Sequence, residues 1–175
     1  MRGGVLALAI VCTPLFSFAK DAEEALRDCF HGAAAEDRAA REACVGTAFD
    51  VCEAQPWEGG GSYVIGCMNV ATEAWESLLQ DEFATLLLYA KPSETVADLV
   101  DPTEVDLHLS SIREAQVAWE AYRAAQCRYA ALKWPGGDMG RFDAVICLRD
   151  LTAARAIALW QEQQPMPWPD EHRWE

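Results

Sequence analysis

The sequence predicts an all-α domain of four to five helices packed as disulfide-stapled hairpins. Three observations carry this expectation. Apolar residues recur at three- and four-residue steps over long stretches, which is the spacing of one helix face. No run shows strand-like alternation of any length. Six of the seven cysteines lie beyond residue 19, at spacings that suit staples between neighbouring helices. The length of 175 residues fits one ordinary domain. With 51% hydrophobic and 24% charged residues, the chain has enough apolar material to build a core.

Residues 1–19 read as a secretory signal peptide. Arg2 gives a short positive start, and the stretch from Val5 to Phe18 is apolar and broken only by Pro14. Ser17-Phe18-Ala19 forms a small-x-small cleavage box before Lys20. The apolar stretch is shorter than the ~20 residues that span a bilayer. Lipidation at Cys12 is disfavoured, because the branched Val11 precedes it and apolar residues follow. No second apolar stretch of membrane length occurs, so the exported chain is expected to be soluble, with no insertion into a membrane. The compartment expected is the periplasm or the exterior.

A single helical domain is expected over 20–162, followed by a mobile tail over 163–175. The first helix runs from Asp21 to about Gly32, with Asp21, Glu23 and Glu24 favourable near its start. The second covers Ala35 to Gln55, rich in alanine, glutamate and arginine. The run Pro56 to Ser62, PWEGGGS, is a breaker and loop. From Tyr63, the residues Ile65, Met68, Trp75, Leu79, Phe83 and Leu86 mark one face of a long helix that ends before Pro92. Val96 to Pro102 is a connection. Thr103 with Asp106 has the form of a helix start. Leu109, Ile112, Gln116, Trp119, Tyr122, Gln126 and Tyr129 then form a stripe reaching to Lys133. Trp134 to Gly140 is a turn, and Phe142, Val145, Ile146, Ala153, Ile157 and Trp160 mark the last helix. Pro165, Pro167 and Pro169 end it.

An even number of cysteines in an exported chain points to disulfides, and neither C-x-x-C nor clustered Cys/His is present to suggest a metal. Cys29/Cys44 and Cys52/Cys67 are both C-x14-C, the reach of a helix end, a turn and a return. Cys127/Cys147 encloses the Trp134-Pro135-Gly136-Gly137-Asp138 turn. These spacings favour Cys29–Cys44, Cys52–Cys67 and Cys127–Cys147. The pairing Cys29–Cys52 with Cys44–Cys67 remains open at this level. No cofactor is expected.

The chain carries 14 basic and 28 acidic residues, a net charge of −14, with a pI near 4.5. Without residues 1–19 only Arg2 is lost, leaving 13 basic against 28 acidic residues, or −15. That field repels phosphate backbones, so nucleic acid is excluded as a partner, and basic proteins are favoured.

The run Ile112 to Cys127, IREAQVAWEAYRAAQC, resembles the signature of the LprI-type lysozyme-inhibitor N-terminal domain family. That signature reads L-R-x-A-Q-R-x-W-x-x-[FY]-R-D-A-x-C. Ala115, Gln116, Trp119, Tyr122, Arg123 and Cys127 match it, whereas Val117 and Ala124 depart from it. Gly136-Gly137, Cys147, Thr152, Arg155 and Leu159 resemble the family's loop, second cysteine and T-x-x-R-x-x-x-L helix end. Upstream, Cys67 followed by Glu76, Leu79, Gln80, Phe83 and Leu86 resembles a more degenerate block. The resemblance covers about 52–160; the Cys29 to Cys44 segment lies outside it. It implies an exported α-helical domain, and the family name implies lysozyme inhibition.

Most of these residues have a structural reading. Trp119 fills the core, Gln116 and Arg123 satisfy buried groups between helices, and Cys127 staples the hairpin. Arg155 is a candidate for an ion pair with Glu114 or Glu120. His31, His108 and His172 are scattered, and no serine or cysteine nucleophile has a positioned base, so an enzyme is not expected. The glycine loop lacks the Lys-Ser/Thr of a phosphate cradle. Its Trp57 and Glu58 are the candidate partner-binding residues, with Trp168 and Trp174 of the tail as further anchors. The function expected is a periplasmic or secreted protein-binding module, with a basic enzyme such as a lysozyme as the candidate partner for inhibition. The alternative is an interaction or scaffold domain of the cell envelope.

Overall fold

The computed structural model describes residues 15–34, 37–56, 62–95, 97–135 and 138–163, with the side chains of 15–17 and 62 excepted. The fold is all-α. It comprises α1 (Leu15–Gly32), α2 (Arg38–Ala43), α3 (Thr47–Glu53), α4 (Ser62–Tyr89), α5 (Pro102–Leu132) and α6 (Met139–Glu162). Short 3-10 turns lie at Cys44–Gly46 and Ala97–Leu99. The first turn joins α2 to α3 as one bent arm, which makes five helical units among the described residues. No helix among the described residues is long and apolar enough to cross a membrane.

The central helix is α4. It packs most extensively on α6, and its opposite side takes α3 and α1. The second large interface joins α5 to α6, so α6 lies between α4 and α5 and both lean on it. The core centres on Trp75, which is fully buried with Leu26, Phe30, Leu78, Ile157 and Leu159. The Phe30 ring meets Trp75 edge-on at 5.9 Å, and the Trp75 indole N–H donates to the Val45 carbonyl at 3.4 Å.

Three disulfides, Cys29–Cys44, Cys52–Cys67 and Cys127–Cys147, tie α1 to the first 3-10 turn, α3 to α4, and α5 to α6. Each fastens neighbouring elements, and such bonds persist in an oxidising, extracytoplasmic compartment.

Four local expectations are corrected. The helix expected over Ala35 to Gln55 is divided at Cys44–Gly46, where the disulfide to Cys29 and the packing of Val45 on Trp75 override the helix propensity of the segment. The first helix is already formed at Leu15, so Asp21, Glu23 and Glu24 do not lie in the first turn of α1 as described. The cap of α5 is Asp101, whose carboxylate accepts from Thr103 N–H at 2.8 Å while Pro102 takes the first helical position. On α5, Tyr122 and Tyr129 are exposed, at 54% and 60%. The stripe drawn through them moves mostly in steps of three. Each such step falls ~60° short of a full turn, and the one-turn-in-3.6 geometry carries both tyrosines outward. The inward line is Leu109, Gln116, Cys127 and Ala130.

Gly140 near the start of α6 is a close approach that the sequence does not reveal. A Cβ there would collide with the Ala131 carbonyl oxygen at the end of α5. The Trp134 indole N–H donates to Asp143 at 2.6 Å and fastens the same corner. Residues 1–14 of the expected signal peptide, 57–61 of the expected loop and 164–175 of the expected tail lie outside the described residues.

Candidate functional site: the cleft between α4 and α5

Because α4 and α5 lean on α6 from two sides, they leave a cleft between them of about 210 Å³. One wall is Glu76, Leu79, Gln80 and Phe83 of α4, and the other is Gln116, Trp119, Glu120 and Arg123 of α5. Both sets follow i, i+3, i+4, i+7, so each wall is one stripe of one helix. The two sequence blocks that resemble the family signature therefore face each other across one space.

The cleft is held by an ordered set of polar contacts. Arg123 donates to Glu76 at 2.8 Å and to the Thr152 hydroxyl at 2.8 Å, tying α5 to α4 and α6 together. Thr152 is fully buried and donates in turn to the Leu148 carbonyl at 2.6 Å. The Arg123 guanidinium stands 5.1 Å from the Trp119 ring centre. Arg155 donates to the Gln116 side-chain carbonyl at 3.1 Å and lies 4.0 Å from Glu162. Its expected ion pair with Glu114 or Glu120 is not formed, because Gln116 is the side chain that turns inward toward α6. Glu120 accepts only a long contact from Gln116, at 3.4 Å.

Of the signature residues, Gln116, Trp119, Arg123, Thr152 and Arg155 thus meet at or behind this cleft. Ala115 and Tyr122 are exposed and do not take part. Trp57 and Glu58 lie outside the described residues, as do Trp168 and Trp174. Chemically, the cleft offers aromatic and aliphatic walls, two carboxylates and one neutralised arginine. The one hydroxyl, on Thr152, is engaged both as donor and as acceptor. Such a surface can receive a side chain of a partner; it does not set a nucleophile beside a base.

A second polar cluster lies behind α4, at the α1–α2 corner. Arg41 is 4% exposed, stacks on Trp160 at 3.5 Å from its ring centre, and donates to the carbonyls of Ala33, Ala34 and Asp37. Its Nε is buried without a hydrogen-bond partner. Burial lowers the Arg41 pKa, against the attraction of Glu82 and Asp37. Glu82 is 5% exposed and accepts from the Gln163 amide at 2.6 Å. Burial raises its pKa, opposed by the Gln163 hydrogen bond and by His31 and Arg41. Sequence reading missed both residues. Arg41 sits in an alanine-rich run with no periodic signal, whereas Glu82, one acid among 28, is marked by its place between Leu78 and Leu86.

The fold is that of a small all-α domain stapled by disulfides, with a cleft between α4 and α5. The chain belongs to the LprI family, described as lysozyme inhibitor LprI, whose model matches residues 58–159. No curated protein and no solved structure matches the chain.

Proposed function

We propose that the protein is a periplasmic or secreted binding module that inhibits a lysozyme-type enzyme by occupying it, without catalysis of its own. The observation that carries this reading is the coincidence of two things: the family match spans 58–159, and the helices of that span build the α4–α5 cleft. The net charge of −14 supports it, because lysozyme-type enzymes are strongly basic and an acidic domain is steered toward them. Three disulfides support a rigid surface, which reduces the ordering cost of binding.

The contact surface proposed is the rim of the cleft, at Gln80 and Glu120, together with the loop residues Trp57 and Glu58. The test is titration of the oxidised protein into lysozymes of different classes, following wall lysis at low and at physiological salt, with a reduced and blocked sample as control. Saturable inhibition that needs the disulfides, and that weakens in Glu120→Lys or in the Trp57→Ala/Glu58→Ala double variant, is the expected result. Inhibition unchanged by the loop variant removes the loop from the surface. Absence of inhibition at physiological salt overturns the inhibitor reading and leaves an envelope scaffold in its place.

A further inference from the structure

The face of α5 opposite the cleft has no role in the proposed inhibition. Ten large hydrophobic residues are exposed among the described residues, and half of them lie on this one helix: Leu107, Val117, Tyr122, Tyr129 and Leu132, each 54% exposed or more. At 100° per residue these side chains fall on the side away from Gln116 and Arg123, with Ala118, Ala121 and Ala125 between them. On the outward side from Leu107 to Leu132 only two residues are charged, Glu114 and Arg128. Both are exposed, and neither has an ion-pair partner among the described residues. On a chain of net charge −14, this is a neutral, apolar face on which repulsion between copies is locally absent.

We infer that the outer face of α5 is a self-association surface on which a second copy of this chain packs antiparallel about a two-fold axis. The placement of its residues is self-complementary. A two-fold between antiparallel helices pairs each position with its mirror about one midpoint. The pairs Leu107/Leu132 and Ala118/Ala121 share one midpoint, and in that register Glu114 of one copy and Arg128 of the other are offset by three residues, roughly 4.5 Å along the axis, which their long side chains span. One register therefore sets leucine on leucine at both ends and alanine on alanine at the centre, where backbones approach closely. It also brings Glu114 of each copy to Arg128 of the other. The cleft residues point the opposite way, so pairing leaves both clefts open.

The test uses the protein expressed with its own N-terminal segment and purified, oxidised, from a bacterial periplasm. Sedimentation velocity over a concentration series reads the mass. The wild type is expected to approach twice the chain mass. Glu114→Arg and Arg128→Glu each set like charges together and are expected to weaken association at least about tenfold. An equimolar mixture of the two variants restores both ion pairs in a heterodimer and is expected to return to the dimer mass. Ala121→Glu, which places an acid at the axis in each copy, is expected to be monomeric. Circular dichroism confirms that each variant keeps its helix content. A wild type that stays monomeric, as it would if its own tail covered the face, overturns the inference. So do single variants that still dimerise, or a mixture that does not recover.

Discussion

Replacing Arg123 by methionine separates the forces that hold the cleft. The arginine makes three contacts of unequal value. Its bond to Glu76 is an ion pair with side chains 20% and 40% exposed, and solvent at that exposure limits it to about 1 kcal/mol or less. Its stacking on Trp119 contributes about 0.5 kcal/mol. Its bond to the fully buried Thr152 hydroxyl is a charged hydrogen bond out of water, worth about 1.5–3 kcal/mol. Methionine keeps the apolar stem, and Thr152 still donates to the Leu148 carbonyl, so no buried hydroxyl is orphaned. The expected cost of Arg123→Met is therefore about 2 kcal/mol, or about 4–8 °C in Tm for a domain of this size. Glu76→Gln keeps an acceptor and loses only the charge, so it is expected to cost less than about 1 kcal/mol. Urea unfolding with the disulfides intact, at constant m, measures both. If Glu76→Gln costs as much as Arg123→Met, the ion pair dominates and the greater weight assigned to the Thr152 bond is refuted.

Gly140→Ala adds a Cβ against the Ala131 carbonyl and is expected to cost about 1–3 kcal/mol by overpacking, less what alanine returns in helix propensity, as read by urea unfolding. Removing the Cys52–Cys67 bond by a double serine substitution opens a loop of separation 15 and is expected to cost about 3 kcal/mol, read by thermal melting. Burial holds the Glu82 carboxyl above the ordinary glutamate value of 4.5, so its ionised form is disfavoured in the folded state relative to the unfolded one. That penalty is present in full above the folded pKa and vanishes below 4.5. Glu82→Gln is therefore expected to be more stable than the wild type at neutral pH, with the two curves converging as the pH falls through 4.5. Denaturation midpoints at several pH values test the sign.

Helix identity was legible wherever the apolar spacing is long. The sequence places one helix from Tyr63 to before Pro92, and α4 runs Ser62–Tyr89. The bend at Cys44–Gly46 was not legible, because residues on both sides favour helix and the cause is tertiary: a disulfide to α1 and a carbonyl turned toward Trp75. The outward turn of Tyr122 and Tyr129 was derivable from helix geometry, since their phase differs from that of Gln116 by more than a quarter turn. The cleft was legible only in halves. Each wall reads as a stripe, but that the stripes oppose each other depends on α6 lying between α4 and α5, which spacing does not encode. Arg41 gave no signal, because its alanine-rich run marks no apolar face. Glu82 was legible, since it stands four residues after Leu78 and four before Leu86 on the buried face of α4, a position where an acid is out of place.

The family match begins at residue 58, yet the packing does not begin there. The α4 side away from α6 is covered by α1 and α3, which precede that point. Phe30, Leu26 and Ala22 are fully buried against it, and the Cys67 thiol takes its partner from α3. A fragment restricted to 58–159 would bare Trp75 and Leu78 to water. Exposing such side chains costs about 1.5–3 kcal/mol each, and bared alanines and a lost disulfide add to this, against a total stability of about 5–15 kcal/mol for a whole domain. The fragment is thus expected to keep helical circular dichroism, lose its near-ultraviolet aromatic signal and bind a hydrophobic dye, whereas the chain that includes α1 to α3 does neither of the last two. A fragment with native near-ultraviolet signal and no dye binding would show that α4, α5 and α6 suffice, and that the first three helices serve something other than the core.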